Sequence, residues 1–214
     1  GVQLARRLKR PQVETVAHVP PALPELSPEQ AAVLARLDTA RQPVLLFGST
    51  GSGKTEVYLR AVQQLLEADP QAQALIMVPE INLTPQLETR FGERFGEKFG
   101  SGGVVAMHSG MTPPQRLASW LAAHSGAARI VLGTRMAVFA SLPNLRLIVV
   151  DEEHDPSYKS QEGARYSARD LAVYLAKQIN DVHPTPDSGA SFCRVLLGSA
   201  TPSLESWHAA ETGR

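Results

Sequence analysis

Cysteine is nearly missing from this chain, and so are any charge bias and any long apolar run. The 214 residues include one cysteine, Cys193. One thiol excludes an internal disulfide and a cysteine-built zinc site within the chain, and it fits a reducing compartment. Lys plus Arg and Asp plus Glu each number 21, so the formal net charge is zero. That balance excludes a global basic field, and any nucleic-acid contact must come from local patches. No apolar run approaches the roughly 20 residues that a membrane span needs. The first residues do not have the pattern of a signal peptide, and no internal repeat is present. The length is enough to bury a substantial core. The resulting expectation is a soluble intracellular α/β domain.

Residues 1–25 open with the basic cluster Arg6, Arg7, Lys9 and Arg10 and pass into a stretch punctuated by Pro20, Pro21 and Pro24. This reads as a linker or boundary segment, with the cluster either touching DNA phosphates or simply solvated. Residues 26–214 read as one domain. Ser27-Pro-Glu-Gln30 starts a helix, with Ser27 as N-cap, Pro28 at the first helical position and Gln30 placed for a capping box. Ala32, Val33 and Leu37 mark its apolar side, and it ends near Pro43. Short apolar runs follow at 44–47, 74–78, 104–107, 129–132, 145–150 and 195–197. Between them lie segments with helical spacing. Val57, Ala61, Val62, Leu65 and Leu66 form one apolar face. Leu87, Phe91 and Phe95 form another, with residues 92–102 reading as a frayed end and loop. Leu117, Trp120 and Leu121 are expected on a buried side, as are Leu171, Ile179 and either Tyr174 or Leu175. Residues 181–191 are turn-rich and read as a mobile surface loop. Strands alternating with helices predict a mostly parallel sheet covered on both faces.

Nearly every expected strand ends in a cluster of Gly, Ser, Thr, Asp or Glu. In open α/β sheets ligands bind outside the carboxyl ends of the strands, so these tips should form one functional edge. The first tip is Gly48, Ser49, Thr50, Gly51, Ser52, Gly53, Lys54 and Thr55, a G-x-x-x-x-G-K-[ST] phosphate loop in a strand–loop–helix context. Its glycines let backbone N–H groups curl around phosphate oxygens, and the following helix adds the positive end of its dipole. Lys54 should reach the outer phosphates of ATP, and the Thr55 hydroxyl should ligate Mg²⁺. At another tip Asp151 follows four apolar residues, where its carboxylate should hold Mg²⁺ through water. Glu152, one residue on, is placed to orient and deprotonate the attacking water. His154 either links this site to Ser199 and Thr201 or serves as a hydrogen-bonded structural histidine.

Taken together, the tips resemble the first RecA-like lobe of a superfamily-two DNA helicase over about residues 26–207. Residues 48–55 are similar to motif I, Asp151-Glu-Glu-His154 to motif II, and Gly198-Ser-Ala-Thr201 to motif III. Val78-Pro-Glu-Ile81 and Gly133-Thr-Arg135 resemble the strand-end motifs that touch the DNA backbone, which implies DNA contacts for Pro79, Glu80, Thr134 and Arg135. Four longer strings resemble the replication-restart helicases in particular: Gly48 through Tyr58, Pro79 through Gln86, Asp151 through Lys159, and Arg165-Tyr-Ser-Ala-Arg-Asp170. In helicases a glutamine just upstream of a phosphate loop often reads adenine, so Gln30 either reads adenine or only caps the helix.

The resemblance implies a bacterial 3′-to-5′ helicase that acts at stalled forks and helps reload the replicative helicase. It implies forked and single-stranded DNA, primosome proteins and single-strand-binding protein as partners, in a monomeric, cytoplasmic and nucleoid-associated protein with no membrane contact. It also implies that residues 158–166 couple single-stranded DNA to hydrolysis. Tyr158 and Tyr166 would stack on bases, and Lys159 and Arg165 would meet phosphates; Ala164 stands where relatives carry a large aromatic. The second lobe with its arginine finger and the family's zinc module are expected elsewhere, with no zinc in this fragment, which should hydrolyse ATP poorly. Two other readings are a non-hydrolysing nucleotide- and DNA-binding recruitment module of the primosome, and a phosphate-loop phosphotransferase.

Overall fold

Each of the six expected apolar runs forms a strand, and all six pair in parallel. The computed structural model describes residues 24–100, 102–161, 163–182 and 192–213. The basic cluster, most of the 1–25 segment and residues 183–191 of the expected loop lie outside them. The strands are β1 (Val44–Phe47), β2 (Gln73–Met77), β3 (Val104–Met107), β4 (Ile130–Gly133), β5 (Leu145–Val150) and β6 (Arg194–Ser199), in the sheet order β1-β6-β5-β2-β4-β3. Because every pairing is parallel, all carboxyl ends reach one edge of the sheet. The strands with neighbours on both sides, β2, β4, β5 and β6, are almost continuously buried, as expected of a sheet covered on both faces.

Helices α1 (Pro28–Thr39), α2 (Lys54–Ala68) and α3 (Pro85–Phe99) cover one face, while α4 (Pro113–His124) and α5 (Ala168–Val182) cover the other; α6 (Leu204–Thr212) packs by β1. Local chemistry starts these helices where the sequence places them. Ser27 and Gln30 complete their capping box, Thr84 caps α3, and Gln115 Oε1 accepts from the Thr112 N–H. Leu34 and Leu37 anchor α1, whereas Ala32 faces solvent.

Three expectations are corrected by packing. First, α3 does not fray at Gly92. It runs on to Phe99 because Phe91 and Phe95, one turn apart, are both buried against α2 and the sheet. Second, Leu117, Trp120 and Leu121 on α4 are exposed. The helix turns its small side, Ser119 and Ala123, inward, and the Gln73 amide beneath donates to the Ala123 and Ala128 carbonyls, each at 2.8 Å. Third, of the two candidates on α5, Leu175 packs inward while Tyr174 is exposed.

Cys193 opens the last strand segment, with its N–H and C=O both held by the Asn180 amide. Burial pushes its thiol up to about 12. Reactivity needs the thiolate, so the folded protein at pH 8 is expected to resist a thiol-exchange dye until denaturant is added. Labelling at the denatured rate without denaturant would contradict this burial.

Candidate nucleotide site

The carboxyl edge collects three strand tips within hydrogen-bonding reach of one another. From β1 the chain enters the phosphate loop, where Gly48 N–H donates to the Ser199 carbonyl at 3.1 Å and so ties the loop to β6. Gly51 and Gly53 have φ of 83° and 84°, a region that suits glycine. A Cβ on Gly53 would also lie 2.5 Å from Gln30 Nε2. The Gln30 side chain carries both local contacts at once. Its Oε1 accepts from Ser27 N–H, completing the cap, and its Nε2 donates to the Ser52 carbonyl in the loop. Gly53 caps α2 with no side-chain acceptor, which leaves the first-turn N–H groups of α2 without a protein side-chain cap. Lys54, largely buried, donates to the Gly48 carbonyl at 2.8 Å and lies 3.4 Å from Glu152 Oε1.

At the β5 tip, Asp151 N–H bonds the Met77 carbonyl and Glu153 N–H bonds the Gly198 carbonyl, so the acids are held between β2 and β6. Glu152 between them is the non-glycine residue found at positive φ, 44°, among the described residues. Backbone in that region is strained and clusters at functional sites. Its Oε2 accepts from Ala200 N–H at 3.4 Å and lies 3.7 Å from His154 Nδ1. His154 bridges two β6-tip hydroxyls, Ser199 Oγ at 2.7 Å and Thr201 Oγ1 at 3.1 Å. Burial raises the Asp151 pKa from its ordinary value, against the lowering pull of the Tyr58 hydrogen bond and Lys54.

Several contacts at this site have no counterpart in the sequence reading. Tyr58 in α2 donates to Asp151 Oδ1 at 2.7 Å, and Tyr158 donates to the Asp151 carbonyl at 2.7 Å. Burial and the neighbouring acids push both phenols up, so they remain donors. Glu153 accepts from Ser203 N–H (2.7 Å), Ser206 Oγ (2.9 Å) and Arg169 Nη1 (2.9 Å). Burial opposes its charge, but these donors outweigh burial and hold its pKa below the usual value. The third letter of an acidic run gives no hint of such a network.

The residues read as DNA contacts divide sharply. Pro79 is buried and Thr134 is 2% exposed. Tyr158, 1% exposed, is a core residue and not a stacking platform. Its ring fills the space under the sheet edge while its hydroxyl is held by Asp151. Arg135 is turned onto its own chain, donating to the Ser157 and Lys159 carbonyls at 3.3 and 3.1 Å. Glu80, Lys159 and Arg165 are exposed, and half-buried Tyr166 sets its ring edge-on to Phe139. Lys159 and Ser167 form an antiparallel bridge, and Ser160 N–H bonds the Tyr166 carbonyl, so this segment folds back on itself.

A family model for DEAD/DEAH box helicases matches residues 27–209. The chain belongs to the DEAD/DEAH box helicase family. It is 46% identical over 170 residues to "Replication restart protein PriA" of Haemophilus influenzae, covering 79% of this chain and 21% of that one. It is 40% identical over 169 residues to the protein of the same name from Bacillus subtilis, covering 79% and 19%. The chain thus spans about a fifth of the length of the curated relatives it matches. Among solved structures, the DNA-bound crystal structure of the DUF1998 helicase MrfA matches with a TM-score of 0.60 at 20% identity, over 90% of this chain and 25% of that chain. That likeness shows the fold, a RecA-like helicase lobe. Among the described residues no helix is long and apolar enough to cross a membrane.

Membership in a helicase family implies ATP and Mg²⁺, and the edge fits both. The uncapped start of α2, the two left-handed glycines and the Lys54 ammonium form an anion cradle. Asp151 and Thr55 carry oxygen donors of the hard kind that Mg²⁺ prefers.

Proposed function

We propose that this chain is the first RecA-like, ATP-binding lobe of a 3′-to-5′ DNA helicase acting at stalled or abandoned replication forks, and that it couples ATP hydrolysis to DNA translocation. The observation that carries the reading is Glu152, whose carboxylate approaches Lys54, Ala200 N–H and His154 and so joins three motifs at one acid. The replication-restart part rests on the name of relatives 40–46% identical to this chain.

In this reading residues 26–214 are the lobe and residues 1–25 a linker. Lys54 and the N–H groups at the start of α2 hold the triphosphate. Thr55 and Asp151 hold Mg²⁺, partly through water; the ion neutralises phosphate charge when bound. Glu152 takes the proton of the attacking water, and Gln30 reads adenine. His154 carries the state of that acid to Ser199 and Thr201. Glu80, Lys159, Arg165 and Tyr166 offer the accessible surface for DNA, while Arg135 shapes the 157–159 turn that presents it. The protein works in the bacterial cytoplasm, as a monomer, with primosome and single-strand-binding proteins as partners.

A single lobe supplies half of such a site, and an arginine finger from a second lobe is worth about 10³–10⁵ in rate in phosphate-loop enzymes. The test compares steady-state ATP hydrolysis by this chain and by the full-length protein, with and without single-stranded and forked DNA. The expected result is DNA-stimulated turnover by the full-length protein and at least about 10³-fold less by the chain alone. Equal DNA-stimulated rates, or a full-length protein indifferent to DNA, would overturn the reading.

A further inference from the structure

Two buried phenols converge on Asp151 from opposite faces of the sheet. Tyr158 reaches the backbone carbonyl, whereas Tyr58 reaches the carboxylate itself, at 2.7 Å from Oδ1. Tyr58 is 2% exposed, and its path to Asp151 runs over Gly198 in β6, where a Cβ would overlap the Tyr58 hydroxyl. The register puts Leu197 of β6 against Val150 of β5, so Gly198 sits beside the start of the acidic tip. A glycine directly after the apolar run Val195–Leu197 leaves room for one group, and that group bonds the proposed metal-holding acid.

The geometry assigns Tyr58 as a positioning residue: its hydroxyl fixes the rotamer of the Asp151 carboxylate and occupies one lone pair of Oδ1, leaving the others for Mg²⁺, with Gly198 as the gap that admits it. This rests on the proposed role of Asp151 in holding Mg²⁺. A carboxylate free to rotate presents its oxygens to a hydrated ion in several orientations, and outer partners of this kind change metal affinity by roughly 10–100-fold. Tyr58 itself touches neither nucleotide nor metal.

The experiment measures binding of a fluorescent ATP analogue to the full-length protein while Mg²⁺ is titrated, and again in EDTA. Tyr58→Phe is expected to raise the Mg²⁺ concentration for half-maximal binding roughly tenfold or more, with binding in EDTA unchanged. Asp151→Asn should raise it at least as much, and the double variant should be no worse than Asp151→Asn, because Tyr58 acts only through that carboxylate. Tyr158→Phe, which removes only the carbonyl contact, should leave the Mg²⁺ dependence as it was. If Tyr58→Phe unfolds the protein, Gly198→Ala carries the test by displacing the same hydroxyl with the ring retained. A wild-type Mg²⁺ dependence in Tyr58→Phe beside a raised one in Asp151→Asn overturns the assignment, as does an equal shift in Tyr158→Phe. A silent Asp151→Asn identifies a different failure, that of the metal role of Asp151, and removes the inference with it.

Discussion

Replacing Glu152 by glutamine is expected to slow ATP hydrolysis by about 10²–10⁴-fold, the usual value of a positioned general base, while ATP binding stays equal or becomes tighter. Glutamine keeps the size and an acceptor oxygen but loses the charge and basicity. The side-chain contacts of Glu152, to Lys54, Ala200 N–H and His154, all lie at the strand tips. Its side chain caps no helix, and its backbone is held at a φ of 44° that glutamate does not favour. The carboxylate hangs between Lys54 Nζ at 3.4 Å and Ala200 N–H at 3.4 Å, over the phosphate cradle. Removing its charge releases Lys54 from an ion pair, and the ammonium then has more to offer a phosphate. DNA-stimulated turnover by full-length Glu152→Gln, measured beside fluorescent-nucleotide binding, checks both halves. Turnover within threefold of wild type would remove Glu152 from the chemistry.

The neighbouring acid should behave in the opposite way. Glu153→Ala is expected to cost about 3 kcal/mol of stability, the low end for breaking a buried ion pair. The low end applies because Arg169 keeps 15% of its side-chain exposure and a second partner in Asp170. The truncation strips acceptors from Ser203 N–H, Ser206 Oγ and Arg169 together, and so unties the β5 tip from the starts of α5 and α6. In thermal unfolding this corresponds to a fall in Tm of roughly 6–12 °C for a domain of this size. The pH dependence supplies a second readout. A carboxylate with a depressed folded pKa binds its proton less readily in the folded state. It therefore adds stability above the ordinary carboxylate range, and that stability is lost as pH falls through the depressed value. Asp151, whose pKa is raised by burial, contributes with the opposite sign. Glu153→Ala should accordingly flatten the loss of stability on acidification, and an unchanged melting profile at both neutral and acid pH would refute the network's role.

Much of this arrangement is written locally. Apolar runs of three to six residues, nearly all ending in small polar residues, mark the six strands, because a strand buried on both faces needs continuous apolarity and a ligand edge needs polar tips. Caps such as Ser27 with Gln30 act over three residues, and the phosphate loop depends on glycines whose own φ must be positive. What such signals cannot specify is what lies opposite. The apolar face of α4 reads as core, yet Leu117, Trp120 and Leu121 face outward because the small side fits against the sheet. Tyr158 sits in a string that looks like a DNA-binding loop, yet its ring is core.

The sequence by itself determined the α/β class and put Lys54, Thr55, Asp151 and Glu152 at strand ends, since each depends on neighbours within a few residues. The order β1-β6-β5-β2-β4-β3 was decided only in three dimensions. It sets β6 between β1 and β5, and so brings Ser199 and Thr201 to His154 and opens the Gly198 gap beneath Asp151. Tyr58 and Asp151 are 93 residues apart in the chain and 2.7 Å apart at the edge. A contact of that span depends on which strands become neighbours, and no periodicity along the chain encodes it.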